Sequence, residues 1–251
     1  MSGHSKWSTI KRKKAAEDAR RGQVFTKLAK EIAIAAGEGP DTDVNMKLRL
    51  AVDKAKAANM PKDNIERAIR RGAGLDKDAS ELEEIMYEGY GPHGVALMIE
   101  VVTDNRNRAV ADIRRWFNKL GGSLGESGCV AWQFEPKGYF TLPPNELDAD
   151  QVFEVAVESG ADDVTFAEDL IEIFADPSEF QTVRESLQQN GLTPETAELT
   201  MLPKTTITLD QKQAFQTMNL ISMLEELDDV QQVYSNLDIS DDLMAAFEEQ
   251  E

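Results

Sequence analysis

The sequence predicts a multidomain α+β protein: an N-terminal three-helix bundle and two ferredoxin-like α+β domains, the third domain inserted in the second. Three observations predict it. Between Val24 and Ile69, apolar residues recur at three- and four-residue spacing, the mark of helices with one inner face. After a polar, acidic linker, Leu75–Glu84, the pattern changes to short β-type runs alternating with amphipathic segments. Within residues 136–203 those segments come in the order β-α-β-β-α-β, which is the ferredoxin-like order. A chain of 251 residues with 41% hydrophobic content can bury two or three such cores.

Residues 1–22 carry little apolar periodicity and read as a basic arm, flexible unless bound. The bundle then spans residues 23–75. Its first helix buries Val24, Phe25, Leu28, Ala29, Ile32 and Ala36, and Gly37 and Gly39 stop it. Asp43 is placed to cap a second helix with Leu48, Val52 and Ala55 inward. Pro61 suits the first turn of a third, whose inner face is Ile65, Ala68 and Ile69 and whose stop is Gly72.

The second domain is expected over residues 80–135 and 204–240. Glu84–Tyr90 and Val95–Val102 read as strands around a glycine turn. Asn105 caps a helix with Val110, Ile113, Phe117 and Leu120 inward, closed by Gly121 and Gly122. Cys129–Phe134 and Thr205–Leu209 read as further strands. A helix carrying Phe215, Met218, Ile221 and Leu224 and a strand Val230–Tyr234 complete it. In the insert, Tyr139–Leu142 is a strand and Ala149–Val157 a helix with Val152, Phe153 and Ala156 inward. Val164–Ala167 and Leu170–Phe174 form a hairpin, Phe180–Leu187 a helix and Glu198–Leu202 a strand. The last dozen residues are acidic and read as frayed.

Charge is divided between the ends of the chain. Residues 1–75 hold 17 Lys+Arg against 9 Asp+Glu, a net of +8, and the rest carries −27. A basic module on an acidic body offers a polyanion one attractive face and one repulsive one. Its densest part is Lys6, Trp7, Lys11, Arg12, Lys13 and Lys14, followed by Arg20, Arg21 and Lys27. An aromatic ring among clustered cations suits nucleic-acid phosphates and bases better than a membrane surface. No apolar run approaches the ~20 residues of a membrane span, and no secretory h-region follows the first cations. A single cysteine, Cys129, read as a small buried residue in a strand, fits a reducing cytoplasm.

Most chemical motifs fail on context. Gly89, Gly91 and Gly94 have the G-x-G-x-x-G spacing, but the β run Val95–Val102 follows where a phosphate-binding helix is required. A tight hairpin explains the glycines. His4 and His93, the only histidines, cannot build a zinc centre or a nucleophilic triad with one cysteine. No catalytic residue, metal, cofactor or small-molecule substrate is expected. One feature survives: Arg106 and Arg108 stand at a helix N-terminus, with Arg114, Arg115 and Lys119 further along the same helix. There the dipole and free N–H groups favour an anion. Pairing with the abundant carboxylates is the competing reading.

Several ordered motifs resemble the YebC-type proteins. They are Ser2-Gly3-His4-Ser5-Lys6-Trp7, Arg21-Gly22 with Phe25-Thr26-Lys27, Asn59-Met60-Pro61 and Ile65-Glu66-Arg67-Ala68-Ile69 in the basic module. Tyr87-Glu88-Gly89-Tyr90-Gly91-Pro92, Thr103–Arg108, Gly121–Gly125 and Asp228–Tyr234 continue the match, while residues 136–203 match in layout. The resemblance implies three domains and a non-enzymatic role in gene expression. Two targets follow from it: DNA, for a transcriptional regulator, or rRNA, for a ribosome-associated translation factor that relieves stalls on proline-rich nascent chains.

Three function classes are therefore open: DNA-binding regulator, ribosome-associated factor, and enzyme with an acidic cleft. The enzyme lacks a site. No helix is an obvious helix-turn-helix reader, and a basic arm with Trp7 suits irregular RNA. The expected contact residues are the cations named above from Lys6 to Lys27, with Trp7, Arg106 and Arg108.

Overall fold

The computed structural model describes residues 18–76, 80–144, 148–167 and 170–249. In chain order the first half comprises α1 (Asp18–Ala36), α2 (Met46–Ala57), α3 (Lys62–Gly72), β1 (Glu83–Tyr90), β2 (Ala96–Thr103), α4 (Arg106–Leu120) and β3 (Ser123–Leu124). Then come β4 (Phe134–Leu142), α5 (Ala149–Glu158), β5 (Ala161–Phe166), β6 (Ile171–Ala175), α6 (Phe180–Gln189) and β7 (Thr196–Pro203). The last elements are α7 (Gln211–Glu225), β8 (Val230–Ser235) and α8 (Asp241–Glu248). The chain is thus α+β with two four-stranded antiparallel sheets. It divides into two compact units, Phe134–Lys204 and the remainder.

In the larger unit, α1, α2 and α3 close around Leu28, Ile32, Leu48, Val52, Ala55, Met60 and Ile65. Small residues let the helices approach closely. A Cβ on Gly72 would lie 2.0 Å from the Ala33 carbonyl oxygen, so α3 ends where only glycine fits. Two boundaries differ from the expectation. Helix α1 already runs at Asp18, because Ala and Arg are good helix formers whether or not an apolar face begins there. The cap of α2 is Asn45, not Asp43. Its Oδ1 accepts from the Leu48 N–H at 3.0 Å, while its amide donates to the carbonyls of Ala35 and Gly39.

The larger unit's sheet has the order β3-β1-β2-β8. One face of β2 (Leu97, Ile99, Val101) packs on Ala109, Ile113 and Phe117 of α4 and on Met218, Ile221 and Leu224 of α7. The turn between β1 and β2 is a short 3-10 segment, Pro92–Gly94, with positive φ at His93 and Gly94. Gly89 serves packing instead: a Cβ there would meet the Ser123 carbonyl oxygen at 2.6 Å. The other face of β2 carries Glu100, whose Oε2 accepts from the Tyr234 hydroxyl at 2.9 Å. Burial pushes the Glu100 carboxyl above the usual carboxylate range; the Tyr234 bond and Lys54 oppose this, and Glu84 and Glu31 add to it.

Three further expectations are corrected in this unit. Cys129–Phe134 is not a strand except for Phe134, which opens β4, because the N–H groups of Val130 and Ala131 serve a side chain and those of Cys129 and Gln133 close local turns rather than a ladder. Buried Glu88 accepts from the backbone N–H groups of Gly128, Val130 and Ala131 at 2.7, 2.9 and 2.8 Å. Burial alone would raise its pKa, but the three bonds together hold it below the usual value. Cys129 is accordingly half-buried in a bend. Thr205–Leu209 makes a single parallel bridge, Ile207 to Leu237, rather than a strand. The C-terminus is a helix, α8, with Met244 and Phe247 in the core and Phe247 edge-on to Phe215 at 5.4 Å.

The unit Phe134–Lys204 has the sheet order β5-β6-β4-β7, the arrangement of a β-α-β-β-α-β sandwich. Helix α6 stacks Phe180 on Phe140 of β4 at 4.8 Å. The Tyr139 hydroxyl donates to Glu172 Oε1 at 2.8 Å. Phe153 does not face inward: it is 52% exposed, and α5 buries Val152 and Ala156 instead. Among the described residues no helix is long and apolar enough to cross a membrane.

Candidate nucleic-acid interface

Helix α1, which follows directly from the N-terminal cations, meets the α7–β8 corner through several polar bonds and shares one carboxylate there with α4. The Lys30 Nζ lies 2.5 Å from Asp229 Oδ1. Arg108 Nη2 and Nε lie 2.9 and 3.2 Å from Asp229 Oδ2, which also accepts from the Thr103 hydroxyl. Burial would raise the Asp229 pKa, but the bonds from Lys30 and Arg108 outweigh it and hold the carboxyl below the usual range. Lys27 donates to the Glu225 carbonyl at 2.6 Å, Lys30 to that of Asp228, and Gln23 to that of Glu226. Cations thus sit where α7 leaves unsatisfied carbonyls and the negative end of its dipole.

The N-terminus of α4 is built locally. Asn105 Oδ1 accepts from the Arg108 N–H, and the Asn105 N–H donates to Thr103 Oγ1. Arg108 folds back onto Asp104 at 2.9 Å as well as onto Asp229. These bonds, to Asp229 first, raise its pKa.

The rest of the helix presents cations outward. Arg106, Arg114, Arg115 and Lys119 are exposed, and among the described residues they form no salt bridge. The other exposed positions of the central turns, Ala111 and Asn118, are neutral, and the one acid of these turns, Asp112, is half-buried. Lys119 also lies over the Trp116 ring at 4.6 Å.

The residues singled out in the sequence thus separate. Lys6, Trp7, Lys11, Arg12, Lys13 and Lys14 lie outside the described residues, as do the side chains of Arg20 and Arg21, although both belong to α1. Lys27 and Arg108 are engaged within the protein, and Arg106 faces solvent. Sequence reasoning missed Asp229 as the common partner of Arg108 and Lys30. Its only local signal was an acidic pair, Asp228-Asp229, before an apolar strand. Among the described residues no group of three or more His, Cys, Asp or Glu could hold a metal ion.

A helical bundle tied to a discontinuous α+β domain, with a second α+β unit inserted, defines a three-part class of protein. Comparison with known proteins agrees. Residues 5–75 match the family described as the TACO1/YebC protein N-terminal domain, and residues 82–237 match the TACO1/YebC second and third domain. The chain belongs to the TACO1/YebC family. A relative from Geotalea uraniireducens is 53% identical over 245 residues, covering 97% of this chain and 98% of the relative. One from Syntrophotalea carbinolica is 54% identical over 246 residues, covering 98% of each. Both bear the name "Probable transcriptional regulatory protein". The crystal structure of a conserved hypothetical protein from Aquifex aeolicus superposes with a TM-score of 0.81 at 45% identity, covering 89% of this chain and 93% of that one.

Proposed function

We propose that this chain is a non-enzymatic regulator of gene expression that works in the cytoplasm by binding nucleic acid. The observation that carries the reading is the placement of charge. The N-terminal 75 residues hold +8 on a body of −27, and the one stretch of that body rich in cations, α4, turns Arg106, Arg114, Arg115 and Lys119 to solvent. Selection for solubility alone would not require a cationic face on an acidic body. The relatives' shared name as probable transcriptional regulators supports the same class. In this reading the N-terminal cations from Lys6 to Arg21 supply most phosphate contacts and Arg106 adds to them. Lys27 and Arg108 fix the corner from which both sets project.

Two targets remain in contention, DNA and structured RNA. The charge layout favours a ribosome-bound role as the second reading. A strongly acidic body is repelled along a duplex but tolerates a local anchor in folded RNA. Sedimentation of the native protein with ribosomes, with and without nuclease, tests this. Nuclease-sensitive co-sedimentation supports RNA as the target. Protein left at the top of the gradient, with retained affinity for duplex DNA, supports the transcriptional role. Absence of binding to either contradicts the proposal.

A further inference from the structure

Helix α5 of the inserted unit carries more apolar surface than its sheet covers. On a 3.6-residue period, Val152, Ala156, Phe153 and Val157 form one continuous arc. Only half of that arc is buried. Val152 and Ala156 are in the core, while Phe153 and Val157 are 52% and 47% exposed. These two are four residues apart and so stand one above the other on the helix. Helix α5 packs on β5 and beside α6. Strand β5 ends the sheet order β5-β6-β4-β7 and is an edge. Its Phe166 pairs with Ile171, two residues from Ile173, which pairs with Phe140 of β4. Paired residues share a face, and Phe140 stacks on Phe180 of α6, so Phe166 lies on the helix side. It too is exposed, at 43%. One exposed apolar residue is ordinary, but three large ones on one margin of a small domain make a patch.

The charges of α5 beside this patch are all negative. Asp150, Glu154 and Glu158 recur every four residues, next to the line of Phe153 and Val157, and are exposed. Residues 138–183 contain no Lys or Arg. The unit Phe134–Lys204 holds 16 Asp+Glu against 3 Lys+Arg, a net of −13. Such a surface repels nucleic acid and anionic lipid. Strand addition is disfavoured as well. The pairing of β5 is irregular between Ala161 and Asp163, and the Val164 N–H donates to Asp163 Oδ1 at 2.9 Å. Bulges and charges of this kind keep a sheet edge from pairing. The chemistry that fits is a helix with an apolar stripe and cationic flanks: the stripe covers the patch and the flanks meet the acids.

We propose that Phe153, Val157 and Phe166 form a docking shoulder for a basic amphipathic helix of a partner protein. Asp150, Glu154 and Glu158 steer and orient that helix. The shoulder is independent of the nucleic-acid reading above, since it lies on the acidic insert and takes a cationic partner.

The test is fluorescence anisotropy of the full chain with a short labelled leucine–lysine peptide whose leucines fall on one helical face. Controls are a permuted peptide of the same composition, with leucines spread around the helix, and a leucine–glutamate peptide with the leucines in place. F153S/V157S removes half-exposed apolar groups and leaves the charge unchanged. It is expected to bind the leucine–lysine peptide roughly tenfold more weakly than the parent, the loss that follows from burying two such side chains in part. F166S, made separately so that the test does not hang on the folding of one variant, is expected to lose several-fold. E154Q/E158Q is expected to reduce the salt dependence of binding. Equal binding by the parent and both serine variants would overturn the proposal. So would equal binding of the two leucine–lysine peptides, which would mean charge alone, or binding of the leucine–glutamate peptide. Sedimentation of the parent as a dimer that F153S/V157S abolishes would make a second copy the occupant and would also overturn it.

Discussion

Lys30 of α1 and Asp229 at the start of β8 are 2.5 Å apart and bring together elements 199 residues distant in sequence. Both side chains are nearly buried, at 13% and 12% exposure, and Arg108 closes the other side of the carboxylate. Asp229 is therefore the one carboxylate shared by the bundle and α4 at the α7–β8 corner, beside the bonds of Gln23, Lys27 and Lys30 to that corner's carbonyls. Removing that acid would leave two cations facing each other in a partly desolvated site.

Asp229→Asn is accordingly expected to destabilise the protein by about 2–3 kcal/mol, the usual cost of stranding a largely buried charge. Urea denaturation of the parent and variant checks this. Lys30→Met, which removes one charge and keeps the stem's packing, is expected to cost less than Asp229→Asn, because Arg108 still neutralises the carboxylate.

Acid should loosen the same corner. The folded pKa of Asp229 is depressed, so its contribution is present above its unfolded value and is lost as pH falls through the folded one. Glu100 acts in the opposite sense. Its folded pKa is raised, so its contribution is full below the unfolded value, near 4.3, and is lost as pH rises through the folded one. Glu100→Gln, which can still accept from Tyr234, should therefore raise stability relative to the parent at neutral pH and not at pH 3. Thermal melts across pH 3–8 read both signs.

Arg106 and Arg108, two residues apart, should behave differently. Arg106→Ala removes an exposed cation without a salt bridge among the described residues, so stability should change by less than about 0.5 kcal/mol while nucleic-acid affinity falls. Arg108→Ala breaks a bidentate contact with Asp229 and should cost about 1 kcal/mol. Paired melting and binding measurements separate the two roles. A similar stability loss in both variants would contradict the assignment.

What was legible in the sequence is what is local. Asn105 as the cap of α4 and Gly121 as its left-handed stop follow from neighbours within a turn, and both stand as expected. Apolar spacing likewise marks the buried faces of α1, α4 and α7. Errors arose where a distant group took over. Cys129–Phe134 has strand composition, but Glu88, some 40 residues earlier, claims the N–H groups of Gly128, Val130 and Ala131 and bends the chain before Phe134. The C-terminal residues look acidic and frayed until Met244 and Phe247 find Phe215 and the α7 face. Arg108 could be read locally as an anion contact, because its partner Asp229 lies 121 residues away.

The central claim is that the N-terminal cations bind phosphate, and the salt dependence of affinity measures this most directly. Binding of a labelled RNA by the parent and by the Lys11, Arg12, Lys13 and Lys14 to Ala variant should be followed across salt concentrations. The parent should lose affinity steeply and linearly on a log–log plot. The variant's slope should be smaller in magnitude by roughly three to four, one unit or slightly less for each phosphate that the variant no longer neutralises, at an unchanged melting temperature. Equal slopes for the two proteins would contradict the claim.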